Sequence, residues 1–115
     1  MVINLTPHAV NIIGEDGSII ASIPPAGKVA RVKTVATKTG TIEVDGRTID
    51  VVSTSYGEVE DLPDSSPDIV YIVSVLVLQA LRGLRDDDVV CPDTGPESVV
   101  RDPKGGIVGV KRFTK

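Results

Sequence analysis

The first half of the chain is a series of short apolar or alternating runs cut apart by turn residues. From Val2 to about Thr54 these runs lie at 2–5, 9–13, 18–22, 28–36, 41–44 and 48–54. Alternation with a period of two, interrupted this often, predicts successive antiparallel strands. Gly14-Glu15-Asp16-Gly17 separates the second run from the third, and Asp45-Gly46 the fifth from the sixth. Glycine accepts the positive φ of a tight turn, so 41–54 is expected to form a hairpin. Ile23-Pro24-Pro25-Ala26-Gly27 must leave any sheet interior, because proline has no N–H to give to a ladder.

The pattern changes after Tyr56. Residues 57–68 are acidic and turn-rich, which predicts a surface loop within one domain spanning 1–115, because the 47 residues after it would make a poor independent core. A buried strand is expected over 68–73 and a helix from Ser74 to about Arg82, with Ser74 as N-cap and Gly83 just past its end. Val75, Leu76, Val77, Leu78, Ala80 and Leu81 leave that helix few polar positions, so it should be buried on most sides. Further strands are expected at 87–91, 97–101 and 107–113, with Asp102-Pro103-Lys104-Gly105-Gly106 turning the last pair. The fold class read from this order is α+β: a mostly antiparallel sheet or small barrel with one buried helix over about 74–82.

Composition sharpens this picture. The 115 residues are 41% apolar with only three aromatics, Tyr56, Tyr71 and Phe113, so the core must be Val, Ile and Leu, which suits strands. The formal net charge of −4 disfavours general nucleic-acid binding, although a few local cations could still hold a small anion. Cys91 is the only cysteine, so no internal disulfide can form. The start of the chain, broken by Asn4, Pro7 and His8, does not read as a signal peptide, and the stretch from Ile69 to Leu81 is too short to span a membrane. A cytosolic location is the expectation.

Several residues could carry chemistry. Asp93-Thr94-Gly95 has the form of an aspartic-protease motif, but only 20 residues follow it, too few for the flap and second glycine-bearing strand such an enzyme needs. Pro92 and Pro96 on either side favour an exposed turn in which Asp93 caps local N–H groups. His8 is the single histidine, and no metal-ligand spacing accompanies it. Paired with Ser74 or Cys91 it could form a nucleophile–base couple, while as the end of Thr6-Pro7-His8 it reads as a corner between strands. The runs Glu58/Glu60/Asp61/Asp64 and Asp86-Asp87-Asp88 do not match a calcium loop and read as solvated faces. Seven of the 12 Lys and Arg residues fall after position 80, beside Gly- and Thr-rich turns that could cradle a phosphate or carboxylate. The alternative is ordinary surface charge paired with Asp86 to Asp88 and Asp102.

Taken together, Asn4-Leu5-Thr6-Pro7-His8, Ile23-Pro24-Pro25 with Ala30-Arg31, Gly57-Glu58-Val59 with Leu62-Pro63, Val73-Ser74 with Leu76-Val77, Pro92-Asp93-Thr94-Gly95-Pro96 and the close from Val100 to Arg112 resemble a family of small, uncharacterised phage and prophage proteins. The resemblance spans nearly the whole chain and implies a bacterial host cytosol more than an activity. Leu84-Arg85-Asp86-Asp87-Asp88 departs from the family in charge and spacing.

Small phage proteins without a catalytic constellation are often inhibitors of host systems. By that analogy of lifestyle, the expected function is binding, with a nucleotide-derived immune signal as the candidate ligand. The residues expected to hold it are Asn4, Thr6, His8, Ser74, Gln79, Arg82, Asp93, Thr94, Gly95, Arg101 and Arg112, with no catalytic residue, metal or cofactor assigned. The site is expected where the Pro92–Pro96 turn, the Ser74 helix start and the Thr6-Pro7-His8 corner meet. The alternatives are a protein-interaction or virion-accessory module, and a small nucleotide-processing enzyme using His8. Self-association is expected because small β domains tend to cover their sheet edges.

Overall fold

The computed structural model describes residues 1–115 as ten strands and one short helix. The strands are β1 (Val2–Asn4), β2 (Val10–Ile13), β3 (Ile19–Ile23), β4 (Arg31–Val44), β5 (Arg47–Glu60), β6 (Val70–Ile72), β7 (Val89–Pro92), β8 (Val99–Arg101), β9 (Ile107–Val110) and β10 (Phe113–Thr114), with helix α1 (Val75–Leu81) between β6 and β7. They form two four-stranded sheets, in the orders β1-β6-β7-β10 and β3-β2-β9-β8, and a separate two-stranded ribbon of β4 and β5.

The first sheet departs from the antiparallel expectation. β1, β6 and β7 are mutually parallel, with Val2 opposite Val70 and Tyr71 opposite Val89, and only β10 runs against them. The cause is the helix: α1 carries the chain back along the sheet, so the strand after it re-enters in the same direction as the strand before it. Parallel strands of this kind are covered on both faces and read as unbroken apolar runs. Tyr71, Val73, Val89 and Cys91 pack with Val77, Leu78 and Leu81 of α1. Ile72 and Val90, pointing the other way, pack with Val10, Ile12 and Val110 of the second sheet. The body is thus three layers: helix, parallel sheet, second sheet.

No sheet closes into a barrel, so that alternative in the fold expectation is corrected. The helix is also less buried than its composition suggests. Its seven residues present one stripe, Val77, Leu78 and Leu81, to the sheet, while Val75 and Leu76 are exposed. Ser74 caps it as expected, its Oγ accepting from the Val77 N–H at 3.3 Å.

The hairpin expected over 41–54 is present and far longer. The runs at 28–36, 41–44 and 48–54 merge into two 14-residue strands that turn at Asp45-Gly46, both with positive φ. Bulges near Lys33 and Thr39 keep the pairing in register along the whole ribbon, from Arg31 opposite Glu60 to Val44 opposite Arg47. Only Val32 and Val59, at its base, pack against the main core. The rest projects as an arm, and the radius of gyration is 17.2 Å, against about 13 Å for a compact domain of this length.

Candidate functional site

The N-terminal corner is organised by Asn4, which is almost fully buried at the end of β1. Its amide donates to the carbonyls of His8 and Ile23, and its Oδ1 accepts from the Thr6 N–H and, at 2.6 Å, from the Thr6 hydroxyl. The Thr6 hydroxyl also reaches the His8 carbonyl. These bonds hold the loop after β1 in a tight corner. They engage the backbone of His8 and leave its imidazole exposed.

On the other side, β7 runs out into the Pro92–Pro96 turn. Asp93 accepts from the Gly95 N–H at 2.9 Å, the local cap expected of it, and its second oxygen accepts from Arg112 Nε at 2.6 Å. The Arg112 guanidinium, and next the Gly95 N–H, hold the Asp93 carboxyl below the usual carboxylate range. The turn is anchored from below by Ser98, fully buried, whose Oγ accepts from the N–H groups of Lys111 and Arg112.

Between these corners lies a cleft of about 460 Å³ lined by 15 residues, eight of them hydrophobic. Thr6 and His8 come from the loop after β1, Val73, Ser74 and Val75 from the step out of β6 into α1, and Cys91, Pro92 and Thr94 from the end of β7. These are the carboxyl ends of the three parallel strands, the place where open parallel sheets leave a crevice because successive connections diverge. Val10 and Asn11 of β2 and the whole of β9 form the facing wall. The three chain regions expected to meet do line one cavity.

Gly109 makes the facing wall possible. A Cβ there would stand 2.6 Å from the Asn11 carbonyl oxygen and 2.9 Å from the Ile13 side chain. Glycine therefore lets β9 lie against β2, where Ile12 pairs with Val110. Asn11 adds a side-chain bond to the Val108 carbonyl and accepts from Ser22 Oγ.

The predicted site residues divide accordingly. Thr6, His8, Ser74 and Thr94 line the cleft, and Asp93 and Gly95 form the turn that presents Thr94. Asn4 lies beneath it with both ends of its side-chain amide engaged. Gln79 instead accepts from the Tyr56 hydroxyl, on the side of α1 that meets the arm. Arg82 borders a separate polar concavity with Asp86, Asp87 and Lys115. Arg101 donates to the Gly105 carbonyl across the β8–β9 turn, and Arg112 is paired with Asp93 and Glu97. The cationic last third therefore does not converge on one cradle. Arg85 holds Asp88 through two bonds of 2.9 and 2.7 Å and lies 5.5 Å from the centre of the Tyr71 ring.

Sequence reasoning missed the facing wall, residues 9–11 and 107–110. Nothing in two separate apolar runs announces that they pair in parallel. A signal existed only at Gly109, a lone glycine inside a strand run, which marks close backbone approach. Candidate nucleophiles in the cleft are quiet: Cys91 is buried and donates to the Pro92 carbonyl, and burial, with a smaller push from Asp93, raises its thiol above the ordinary range. No group of three His, Cys, Asp or Glu side chains is placed to hold a metal ion, and no helix is long and apolar enough to cross a membrane. Comparison with protein-family models, curated proteins and solved structures finds no match to this chain.

Proposed function

We propose that the protein is a small-molecule binding module whose site is the cleft at the carboxyl ends of β1, β6 and β7. One observation carries this: three loops distant in sequence converge there on a mostly apolar cavity of about 460 Å³, within the range of ligand sites, with a few polar groups at its mouth. The His8 imidazole and the hydroxyls of Ser74 and Thr94 are the groups that would orient a ligand. No lysine or arginine lines the cleft. The lining therefore favours a flat, largely apolar body with hydrogen-bonding edges, such as a nucleobase with its ribose, over a compact polyanion. A nucleotide-derived signal fits this reading with its base inside and its phosphates at the rim. Sequestration of such a signal by a phage-encoded protein is the setting in which binding without turnover would serve.

The enzyme alternative needs an activated nucleophile. Cys91 has its thiol raised by burial and Ser74 uses its hydroxyl oxygen to cap α1, so neither is prepared for attack. The test is a thermal-shift panel of adenosine, guanosine, cyclic dinucleotides, ADP-ribose and cyclic ADP-ribose, followed by recovery of the bound compound. A compound present at 100 times its dissociation constant stabilises by about 2.7 kcal/mol, raising Tm by roughly 10 °C. Val108→Trp, which places an indole at the partly open mouth, should abolish the shift while leaving the apo protein folded. A flat response across the panel, or a shift that Val108→Trp leaves intact, overturns the reading; recovery of a cleaved compound transfers it to catalysis.

A further inference from the structure

The β4–β5 arm is an unfinished sheet. Of its 28 strand residues only Val32 and Val59 are even partly buried, and an isolated two-stranded ribbon is marginal in water. The register divides its distal half into two unlike faces. Ile42, Val44, Ile49 and Val51, with Gly40 and, at the tip, Arg47, share one face; Lys38, Thr41, Glu43, Thr48 and Asp50, with Val52, share the other. Apart from Arg47 at the tip and Val52 midway, this alternation is what a sheet with one covered face shows, because a slip of one residue would turn the apolar set to water. Yet Ile42 is 53% exposed, Val44 47%, Ile49 45% and Val51 38%. Nothing in the chain covers them. At the base, Tyr56 turns the polar face toward α1 through its bond to Gln79, so the apolar face is directed away from the body.

The two open edges of the ribbon carry matching charge. At the base, Arg31 and Lys33 on β4 stand level with Glu60 and Glu58 on β5; midway, Lys38 meets Asp50 at 3.2 Å. Near the tip the signs exchange, with Glu43 on β4 and Arg47 on β5. A second arm laid beside the first, its β5 against the first arm's β4 with the small stagger that closing a tilted ring requires, again sets the basic base of β4 against the acidic base of β5 and Lys38 near Asp50. Pairing β4 with its own twin in antiparallel fashion would instead set Lys38 beside Lys38, and pairing β5 with its twin would bring Asp50 close to Glu58. Those twin pairings also gain contacts, Glu43 beside Arg31 and Lys33 in one and Arg47 beside Glu60 in the other, but only the head-to-tail arrangement sets no like charges side by side, and like charges across strands oppose pairing.

We infer that the arm is an assembly device whose partner is a second copy of this chain, and that copies join head to tail, β4 to the neighbour's β5, into a closed ring with the apolar faces turned inward. The antiparallel sense continues unbroken around such a ring, so each new edge adds main-chain hydrogen bonds of the ordinary kind. Size argues for closure over a simple pair. One edge about 46 Å long and about 10 Å deep offers roughly 450 Å², short of the ~800 Å² per partner of a stable interface. Using both edges doubles what each copy buries. Two arms give too few strands to close, whereas four give eight, about the number whose interior is filled by side chains. The ring therefore holds three or more copies.

Sedimentation velocity with light scattering, over a concentration series into the high micromolar range, reads the assembly directly. The wild-type chain should show a discrete mass of at least three copies. Ile42→Thr with Ile49→Thr should return it to a monomer with unchanged melting of the body. The fourfold exchange Arg31→Glu, Lys33→Glu, Glu58→Lys, Glu60→Lys restores complementarity within each arm and between like copies, so it should assemble with itself and yet fail to mix with labelled wild-type chain. A wild-type monomer throughout, a mass that stops at two, or free mixing of the exchanged variant with wild type overturns the inference.

Discussion

The body and the arm both draw their apolar positions from valine and isoleucine, and they reach opposite states. In the body, β6 and β7 lie between α1 and the second sheet, and Ile72, Val73 and Val89 are wholly excluded from water. In the arm, the same residue types stand in solvent on strands of 14 residues, against three in β6 and four in β7. The difference lies in what returns to cover the strand. A helix connection folds back over β6, whereas a two-residue turn at Asp45-Gly46 brings β5 alongside β4 and covers neither face. Residue type sets which positions can be buried, and connection length sets whether the chain itself buries them.

Substitutions should separate the two regions sharply. The largest effect is expected at Asn4, since Asn4→Leu strips two carbonyls and the Thr6 N–H of buried partners. Urea unfolding should lose about 4 kcal/mol or fail to show a folded body at all. Next comes Gly109→Ala, where a Cβ 2.6 Å from the Asn11 carbonyl must push β9 off β2. A loss of about 2–3 kcal/mol is expected, with weakened ligand response because the facing wall moves.

A smaller loss, about 1–2 kcal/mol, is expected from Asp88→Asn, which removes the carboxylate that Arg85 holds with two bonds. The same pair sets an acid limb. Arg85, against the opposing effect of burial, keeps the Asp88 carboxyl below its usual range, so the folded state binds that proton less readily than the unfolded chain. Its contribution is complete above the unfolded carboxylate pKa of about 4 and is lost as pH falls through the lower folded value. Melting followed from pH 6 down to pH 2 should show this loss in wild type and a shallower one in Asp88→Asn. The smallest effect on the body belongs to the arm: Ile42→Thr should change its unfolding by no more than about 0.5 kcal/mol. A loss near that of Gly109→Ala would mean that the arm and body unfold as one unit, and would erase the distinction drawn between them.

Much of this was legible where the cause is local. The Asp45-Gly46 hairpin depends on positive φ at its two turn residues, the Ser74 cap and the Asp93 turn on side chains reaching backbone a few residues away, and each is present. The convergence of the Thr6–His8, Ser74 and Pro92–Pro96 regions could also be anticipated. The sense of the strands could not, because an apolar run such as Val70–Ile72 reads alike in either direction and only the packing of α1 decides it. Burial of the helix was overestimated for a related reason: its composition is apolar all round, but a seven-residue helix on one sheet has a single covered side. The arginines were gathered in sequence and dispersed in space, with Arg85, Arg101 and Arg112 each tied to a carboxylate or carbonyl near it.

The parallel pairing of β1 with β6, residues 2–4 with residues 70–72, also sets an order of events. The arm closes through contacts between near neighbours and can form within microseconds of its turn being made. The cleft cannot, since its walls are residues 6–11, 73–75, 91–94 and 107–110, and distant segments meet slowly. During synthesis the two strands of the arm therefore meet while the first strand still waits for its neighbour, although a lone ribbon is marginal until something covers it. Nascent chains on adjacent ribosomes could join by their arms before any of them has a binding site.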